Sequence, residues 1–333
     1  MARASVSAKD VAELAGVSRT AVSRSFTPGA SVSAETRAKV QVAAEQLGYH
    51  VNHLARGLLR AETGLVALIA AEIDTPYRSA LLAALSGRLQ QAGKVALLIN
   101  TDRSDDSVAR ALRQAISYRT DAAVVLSGMP DVSLAETCLR NGMRLVLINR
   151  DEERPGAARV RLDDAAAGRS AFAALVAAGC ARLALASSRA GTPSLVAREE
   201  GFLAAARAAG RQVTVERIGA TSYRTGLDLG TALMTRPDRP DGVFCTTDLL
   251  ACGLMDAARH RFAAAIPRDL SVIGFDDIAQ AGWEAYDLTT FRQPVDALTE
   301  AALDALAPGA EDHTRLVQTQ LVWRGSVRRA EPG

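Results

Sequence analysis

A chain of 333 residues with 48% hydrophobic and 23% charged residues has the composition of a soluble globular protein of two or three domains, which excludes a largely disordered chain. No stretch approaches 18 uninterrupted apolar residues and the N-terminus lacks the apolar segment of a secretory signal, so we expect a cytoplasmic protein. The net charge of +2 is unevenly distributed, because residues 1–60 carry eight Lys or Arg against four acids, which indicates phosphate contacts at one end of the chain.

The first predicted element is a helix that begins after Ser7. Ser7 is a natural N-cap, and Asp10, three positions later, completes a capping box at the positive end of the helix dipole. Ala12 is small where a second helix must cross closely, and Gly16 can adopt the left-handed conformation that ends the helix. The expected apolar face consists of Val11, Leu14 and Ala15.

A second helix follows directly, with Ser18 as its N-cap and Ser25 near its end. Val22 points inward, whereas basic and hydroxyl side chains remain outside on the first turns. A short helix with this outer face suits the major groove of DNA, so the two helices are interpreted as a helix-turn-helix. The alternative is a small amphipathic hairpin, but the caps, the glycine, the small residue and the basic face agree on the DNA-binding interpretation. The predicted DNA contacts of this helix are Ser18, Arg19, Thr20, Ser23 and Arg24.

A third helix, capped by Ser33 and reaching about Leu47, closes a three-helix core. Its apolar residues fall at helical spacing on one stripe, formed by Val40, Ala43, Ala44 and Leu47. The run VAELAGVSRTAVSR at residues 11–24, followed by Val32-Ser33, Thr36-Arg37, Lys39-Val40 and Leu47-Gly48-Tyr49, closely resembles the LacI/GalR family of bacterial transcription regulators. The resemblance extends over nearly the whole chain.

The resemblance implies an α/β protein with a three-helix helix-turn-helix head at residues 1–50, a hinge helix at 51–62, and a two-lobed body at 63–333. The body would be periplasmic-binding-protein-like, with doubly wound parallel sheets. The first lobe is expected at about residues 63–160 together with 293–325, and the second lobe at about residues 161–292. The resemblance also implies a homodimer that binds inverted-repeat operator DNA as a ligand-responsive transcription repressor, without enzyme activity.

The segment at residues 52–60 is too short for a stable helix on its own, and Gly57 costs a helix roughly 1 kcal/mol relative to alanine. In the family this segment is the hinge helix, which forms when two subunits meet on the operator and inserts a leucine from each into the minor groove. The DNA contacts that the resemblance implies here are Asn52, Ala55 and the inserted Leu58. The alternative is a plain linker. Two residues depart from the family pattern and put the stability of the hinge helix in doubt: Gly57 replaces the small polar residue usual before the leucine, and Val51 replaces a common proline.

From Gly64 onward, short apolar runs rich in β-branched residues alternate with Ala-rich helical segments, which predicts parallel βαβ units. The first-lobe strands are expected at Leu65–Ala71, Val95–Ile99, Ala122–Leu126 and Leu145–Ile148, with helices at about 78–92, 105–118 and 131–142. The second-lobe strands are expected at about 182–186, 213–218, 242–245 and 270–275, with helices at about 165–178, 195–209, 224–235 and 248–261. Residues 159–163 and 289–294 would cross between the lobes, and a helix at 295–306 and a strand near 316–322 would return to the first lobe.

The body carries no signature of a catalytic or cofactor site. The sequence has neither a GxGxxG after the first strand nor a GxxxxGK[ST], so a bound dinucleotide or P-loop nucleotide is unsupported and we expect no cofactor. The four histidines lie in the head, the hinge or the polar ends of helices, which does not fit a catalytic triad. The cysteines form no CxxC pair and lie beside no histidine cluster, so they are interpreted as small buried residues of a reducing compartment, and no zinc site is indicated: Cys138, Cys180, Cys245 and Cys252.

Polar side chains end several apolar strands, at the edge where parallel sheets present strand ends and helix N-termini to a ligand. In the family, the matching positions hold the effector: an aromatic near Tyr77, the arginine of an A-R-x-x-G-F motif at Arg198, and the first aspartate of G-[FY]-D-D at Asp276. Arginine and carboxylate bind vicinal hydroxyls while an aromatic covers a ring face, so the expected effector is a sugar or sugar derivative. Thr221 stands where relatives often have a stacking aromatic. The expected effector contacts are Tyr77, Arg78, Asn149, Arg150, Arg198, Thr221, Thr247, Asp248, Asp276 and Gln293.

Alternatives remain open at this point. Arg198 and Asp276 would also fit a cleft ion pair or strand-end caps. The chain would also fit a sugar-binding receptor without a DNA role, which the missing signal peptide disfavours. A carbohydrate-acting enzyme with an appended DNA-binding domain is the other rival, and the lack of a nucleophile and base or of paired carboxylates disfavours it.

Overall fold

The computed structural model describes residues 6–27, 29–51, 62–102, 104–128, 131–150, 154–307, 309–310 and 314–328. By its internal contacts the chain divides into two units, Met1–Thr63 and Gly64–Gly333, called the head and the body below. Within the described residues, no helix is long and apolar enough to cross a membrane.

Three helices form the described part of the head: α1 (Ala8–Ala15), α2 (Arg19–Ser25) and α3 (Ala34–Leu47). The predicted capping box starts α1, where the Asp10 carboxylate accepts hydrogen bonds from the backbone N–H and the hydroxyl of Ser7, both at 2.8 Å. Gly16 ends α1 in the left-handed conformation with a φ of 66°, and the Ser18 hydroxyl oxygen accepts from the Ala21 N–H at 3.1 Å to start α2. These caps fix the tight turn between α1 and α2, as the sequence predicts.

Within the described part of the head, the core consists of six buried apolar residues: Val11, Ala12, Val22, Val40, Ala43 and Ala44. The apolar stripe expected on α3 is therefore confirmed, with Leu47 packed against the core as a partly buried residue. The prediction was wrong for Leu14, whose side chain is 51% exposed. At about 100° per residue, Leu14 lies roughly 110° from the middle of the arc shared by Val11, Ala12 and Ala15, so it falls outside the face that meets α2 and α3.

The strands of the body are, in chain order, β1 (Leu65–Ala70), β2 (Val95–Asn100), β3 (Ala122–Val125), β4 (Arg144–Ile148), β5 (Ala157–Leu162), β6 (Leu183–Ser188), β7 (Val213–Ile218), β8 (Gly242–Cys245), β9 (Ser271–Asp276), β10 (Thr289–Arg292), β11 (Thr314–Val317) and β12 (Gln320–Val322). Its helices are α4 (Pro76–Gln91), α5 (Asp105–Ser117), α6 (Val132–Arg140), α7 (Asp164–Ala177), α8 (Pro193–Ala208), α9 (Tyr223–Met234), α10 (Asp248–Phe262) and α11 (Val295–Leu306). A short 3-10 helix at Ala279–Gly282 follows β9.

In the described part of the chain, these strands form two six-stranded sheets, one in each lobe. The sheet of the first lobe has the order β11-β5-β4-β3-β1-β2, and that of the second lobe has the order β12-β10-β9-β8-β6-β7. Every strand pair is parallel except β12 with β10, and buried apolar residues fill both faces of the central strands. The predicted α/β class, with two doubly wound parallel sheets, is therefore confirmed.

The strand expected near residues 316–322 is in fact two strands in different lobes. β11 extends the first sheet beside β5, whereas β12 pairs antiparallel with β10 in the second sheet. Within the second lobe, the Ser326 hydroxyl then donates to the Val272 carbonyl oxygen at 2.6 Å. The prediction failed here because the apolar pattern of an edge strand does not reveal which sheet it joins. Residues 320–325 thus pack with the second lobe and not with the first.

The other two crossings between the lobes lie close to the predicted segments. Residues 159–162, expected to cross, complete β5 in the first sheet, so this crossing begins only after Leu162. The second crossing follows β10, and α11 then packs against α4, β4 and β5 of the first lobe, as the sequence predicts. Both lobes are therefore built from segments that are distant in the sequence.

Helices α7 and α8 of the second lobe pack with their backbones in contact. A Cβ atom on Gly168 would lie 2.2 Å from the Arg198 carbonyl oxygen, and one on Gly201 would lie 2.1 Å from the Ala165 carbonyl oxygen. Real Cβ atoms do not approach backbone this closely, so only glycine fits at these two positions. The close approach brings the first turn of α7 beside Arg198.

Gly201→Ala should lower the free energy of unfolding of the body by about 1–3 kcal/mol, because the added methyl group must push α7 and α8 apart. Gly87→Ala in α4 is the matched control, since nothing lies within 4 Å of its added Cβ and alanine should gain roughly 0.5–1 kcal/mol in helix stability. Denaturant unfolding followed by tryptophan fluorescence reports on the body, which contains Trp283 and Trp323. Equal effects of the two substitutions would contradict the close helix packing.

Candidate functional site

A cleft between the two lobes encloses a cavity of about 120 Å³. It lies at the carboxyl ends of parallel strands, where α4, α8 and α10 begin after Thr75, Thr192 and Thr247. Doubly wound sheets present polar groups and helix N-termini to ligands at such an edge. Nine of the ten predicted effector contacts lie on the cavity wall: Tyr77, Arg78, Asn149, Arg150, Arg198, Thr221, Thr247, Asp276 and Gln293.

Arg198 is held in one orientation in the cleft, with only 4% of its side chain exposed. Its Nε donates to the Asp164 carboxylate at 2.7 Å, and its Nη1 donates to the Thr246 carbonyl oxygen at 2.9 Å. The guanidinium carbon lies 3.4 Å from the centre of the Phe275 ring, a cation–π contact. Nη1 is also 3.9 Å from Asp276 Oδ1, so the buried cation has two carboxylate neighbours that offset its loss of hydration.

Asp276 ends β9 with its carboxylate between Arg198 and Gln293. Gln293 Nε2 donates to Asp276 Oδ1 at 2.5 Å. Burial raises the pKa of Asp276 to about 6, although the Arg198 cation acts in the opposite direction. Asp276 and Asp277 both have positive φ, 128° and 56°, a conformation that costs an L-residue on the order of 1–3 kcal/mol and is concentrated at binding sites. The strained turn aims the Asp276 side chain into the cleft.

Two residues that line the cavity, Tyr77 and Gln293, each carry a buried polar atom, Oη and Oε1, without a hydrogen-bond partner among the described residues. The Gln293 side chain is almost completely buried, and Tyr77 packs against core residues of both lobes. Burial raises the pKa of the Tyr77 hydroxyl well above its ordinary value, so this group remains a neutral donor and acceptor. An unpaired buried polar atom costs about 1–3 kcal/mol, which a ligand with hydroxyl groups would recover on binding.

Asp248 is the predicted effector contact that the structure does not place on the cavity wall. Its side chain is fully buried in the second lobe, where it accepts hydrogen bonds from the Ile278 N–H at 2.9 Å and from the Thr290 hydroxyl at 2.6 Å. Burial, together with the negative charge of Asp276, raises the pKa of Asp248 to about 7. Asp248 thus holds the segment that follows β9, because both of its oxygens have protein donors, and we leave it out of the proposed effector site.

The wall also contains polar residues that the sequence analysis did not select. Thr192 and Ser194 begin α8 on the second-lobe side, and Ser127 follows β3 on the first-lobe side. The Thr221 hydroxyl lies 2.7 Å from the Ser188 hydroxyl, which anchors it to the end of β6. The sequence offered one signal for Thr192, because the same dipeptide, Thr-Pro, begins both α4 and α8. In the structure, neither threonine side chain caps its helix.

The cysteines do not take part in this site. All four are free and buried, and burial raises the pKa of Cys138 to about 11 and that of Cys252 to about 12. Cys138 and Cys252 are therefore neutral, unreactive thiols. Over the part of the chain that the structure describes, no group of three or more His, Cys, Asp or Glu side chains is arranged to hold a metal ion.

The candidate DNA-binding face of the head is the outer side of α2. The exposed residues on it are the predicted contacts Ser18, Arg19, Thr20, Ser23 and Arg24. Arg37 Nη1 donates to the Ser25 carbonyl oxygen at 2.5 Å, which fixes the end of α2 against α3. A rigid helix that exposes arginines and hydroxyls is able to contact phosphates and base edges together. The predicted contacts Asn52, Ala55 and Leu58 lie outside the described residues.

Comparison with known proteins assigns both units. Residues 7–52 match the family of bacterial regulatory proteins called the lacI family, and residues 172–327 match the periplasmic binding protein-like domain. The chain therefore contains a DNA-binding domain of the lacI family and a periplasmic binding protein-like domain. Among LacI-family relatives, the ribose operon repressor of Escherichia coli (strain K12) is 29% identical over 301 residues, which cover 90% of this chain and 91% of the relative. The HTH-type transcriptional repressor PurR of Yersinia pestis bv. Antiqua (strain Antiqua) is 28% identical over 334 residues, with 96% and 98% covered.

The LacI-family fold extends over nearly the whole chain. The lac repressor dimer bound to operator and the anti-inducer ONPF matches the structure with a TM-score of 0.89 at 24% identity, covering 98% of this chain and 100% of the repressor chain. The protein is therefore a DNA-binding regulator of transcription, whose two-lobed body is an effector-binding domain.

The buried carboxyl groups of Asp248 and Asp276 determine how the stability of the body should depend on pH. Their pKa values of about 7 and about 6 lie above the ordinary value of 3.8. Between the ordinary and the raised pKa values, the folded state therefore binds more protons than the unfolded state. The free energy of unfolding should therefore fall as the pH rises from about 5 to about 8. Thermal unfolding, followed by tryptophan fluorescence, measures this slope.

Asp248→Asn should flatten the slope, because the amide retains an oxygen acceptor for Ile278 and offers N–H groups to Thr290 but carries no titrating proton. An unchanged slope in the variant would contradict the raised pKa of Asp248.

Proposed function

We propose that this protein is a transcriptional repressor whose homodimer binds an inverted-repeat operator, and that a sugar or sugar derivative bound between the lobes changes its operator affinity. One observation carries the choice of effector: Arg198 and Asp276 line the same cavity as Tyr77 and Gln293, whose buried Oη and Oε1 atoms have no partner among the described residues. The proposal includes no enzyme activity, and it places the protein in the cytoplasm, where bacterial operator DNA lies.

A small polyhydroxylated ligand suits this wall because each of its polar groups has a matching partner. Arg198 donates and Asp276 accepts charge-assisted hydrogen bonds, so the pair suits two vicinal hydroxyls. Gln293 Oε1 is an acceptor for a third hydroxyl, and the Tyr77 ring supplies an apolar surface for a sugar ring. The name of the ribose operon repressor, a relative at 29% identity, supports a pentose as the first ligand to test.

The distribution of these contacts provides a physical basis for control by the effector. Tyr77 and Asn149 belong to the first lobe, Arg198 and Asp276 belong to the second, and Gln293 lies where the chain crosses between them. A ligand that contacts all of them favours one arrangement of the lobes over others. Operator affinity then responds to the ligand if these arrangements differ in their affinity for the operator as well as for the ligand.

Arg24→Ala should weaken binding to the specific operator by about 1–3 kcal/mol and binding to random DNA by less, because it removes a base-reading contact. Lys39→Ala is the control, since it removes one exposed positive charge from α3 and should affect both DNAs alike. Fluorescence-anisotropy titrations, with an operator selected from random sequences, measure the two affinities. Equal losses for Arg24→Ala on both DNAs would make Arg24 a phosphate contact.

Asp276→Asn should lower effector affinity by tenfold to more than a hundredfold, or about 1–3 kcal/mol, because the charged acceptor for the ligand hydroxyls is lost. Operator binding without effector should be unchanged, since the head is untouched. Asp238→Asn is the control, because Asp238 is exposed and pairs with Arg236 away from the cavity. A thermal-shift screen of sugars finds the ligand, and calorimetry then compares the variants. Wild-type affinity in Asp276→Asn would remove Asp276 from the effector site.

A further inference from the structure

A second pocket adjoins the effector cavity, close to the point where the chain crosses from β10 to α11. Its volume is about 560 Å³, against about 120 Å³ for the effector cavity. Asn149 and Arg198 line the cavity and not the pocket, whereas Ala80 and Val295 line the pocket and not the cavity. The two spaces are therefore distinct. The residues that line both of them, called the shared wall below, are Pro76, Tyr77, Asp276, Ile278 and Gln293.

The second pocket has walls from both lobes. In the first lobe, Pro76 and Ala80 belong to α4. In the second lobe, Asp277 and Ala279 follow β9, and Pro294 lies in the crossing that leads to α11. A molecule in this pocket therefore contacts both lobes and the segment that joins them. Interfaces between domains are a preferred place for small-molecule sites.

The size and the lining of the second pocket suit a small molecule with an apolar body. Small-molecule sites typically have volumes of about 300–1,000 Å³ and mainly apolar walls with a few polar groups. The second pocket, at about 560 Å³, lies within this range. Its apolar lining includes Ile278, Pro294 and Val295, and Tyr77 contributes an aromatic side chain. An apolar body would lose its contact with water against this lining, which favours binding.

Hydrogen-bond acceptors predominate among the polar side chains of the second pocket. Three carboxylates line it, those of Asp276, Asp277 and Asp296, and among the described lining residues Arg292 is the cation. Arg292 and Arg324 both donate to the Asp277 carboxylate at 2.6 Å, so this acid is already paired. Asp296 lies exposed in the first turn of α11. Carboxylates accept from a hydroxyl or an ammonium group and repel another carboxylate, so the occupant should carry a donor and no acid.

The shared wall contains polar side chains that a ligand on either side would restrain. Gln293 is 4% exposed, and its Nε2 donates to Asp276 Oδ1 at 2.5 Å. Gln293 Oε1 and Tyr77 Oη are buried without a partner among the described residues. A ligand in the second pocket packs against these same residues, so it favours the arrangement in which they line the effector cavity.

We propose that the second pocket binds a small, largely apolar molecule with a hydroxyl or ammonium group, and that its occupation strengthens effector binding in the neighbouring cavity. The binding site itself follows from the volume, the apolar walls and the acceptors. The coupling rests on the proposed function, because it requires an effector between the lobes. Since both ligands favour the same arrangement of the shared wall, each raises the affinity for the other by the same factor.

Small benzyl compounds test the second pocket on the full chain. Calorimetric titrations compare benzyl alcohol, benzylamine and benzoate. We expect saturable binding of benzyl alcohol or benzylamine, and binding of benzoate that is weaker by about tenfold or more, because the carboxylates of the pocket repel it. The proposal is overturned if neither benzyl alcohol nor benzylamine binds saturably, or if benzoate binds as tightly as they do.

Two blocking variants then locate the bound benzyl compound. Ala80→Phe on α4 and Ala297→Phe on α11 each add a ring at a different wall of the pocket, and should lower its affinity by about tenfold or more. Ala83→Phe is the matched control, because Ala83 is exposed on the same helix as Ala80 and lines neither space, so it should change the affinity by less than about twofold. Tryptophan fluorescence confirms that each variant is folded. Wild-type affinity in a folded blocking variant would place the compound elsewhere and overturn the proposal.

The sugar found by the thermal-shift screen measures the coupling. Its affinity for the protein should rise by about fivefold or more when the benzyl compound is present at saturation. An unchanged or lower sugar affinity would overturn the coupling, and a lower one would show that the two molecules compete for the effector cavity. If no sugar binds in the screen, the proposed sugar effector fails, whereas the titrations with the benzyl compounds still decide whether the second pocket is a binding site.

Discussion

The buried guanidinium of Arg198 is the interaction on which the cleft depends. It joins the start of α7 through Asp164, the end of β8 through Thr246, and β9 through the ring of Phe275. Three elements that are distant in the sequence are thus positioned by one side chain. The arrangement exists only because two glycines let α7 and α8 touch, since a wider helix separation would take Asp164 out of reach. An arginine left without its carboxylate in such a place would be strongly destabilising.

The neighbouring pair Asp276 and Asp277 shows how a strand end serves binding and architecture together. Asp276 faces the cavity, whereas the Asp277 carboxylate accepts from Arg292 Nε and Arg324 Nη2, both at 2.6 Å. Arg292 ends the strand that leads to a lobe crossing, and Arg324 lies after β12. The two ion pairs hold the strained turn in place from behind, so the Asp276 side chain that faces the cavity is positioned before any ligand binds. Preorganisation of this kind lowers the cost of binding.

Most of the fold and of the effector cleft could be predicted from the sequence, and the exceptions have physical causes. Strand ends are visible as polar residues after apolar runs, and the parallel topology brings them together, which is why Asn149 and Asp276 were found. Asp248 follows Thr247 directly, but its side chain is buried and accepts hydrogen bonds from Ile278 and Thr290, which are distant in the sequence, so its direction could not be predicted. The prediction for Leu14 failed because α1, with eight residues, is too short for the centre of its apolar stripe to be located reliably from the sequence. The partnerless atoms and the second pocket depend on distances, which a sequence does not contain.

The division of residues 314–322 between the two sheets has a consequence for synthesis in the cell. β11 and β12 are translated last among the strands of the body, yet each fills an outer position in a different sheet, beside β5 and β10. Until they emerge from the ribosome, β5 and β10 are the outer strands of their sheets in place of β11 and β12, and unpaired strand edges pair readily with other chains. The lobes therefore cannot be finished one after the other. On a polysome, neighbouring nascent chains of this regulator would each carry two unfinished sheets. The strand edges of both sheets would be most exposed to misassembly between the translation of β10 and that of β12.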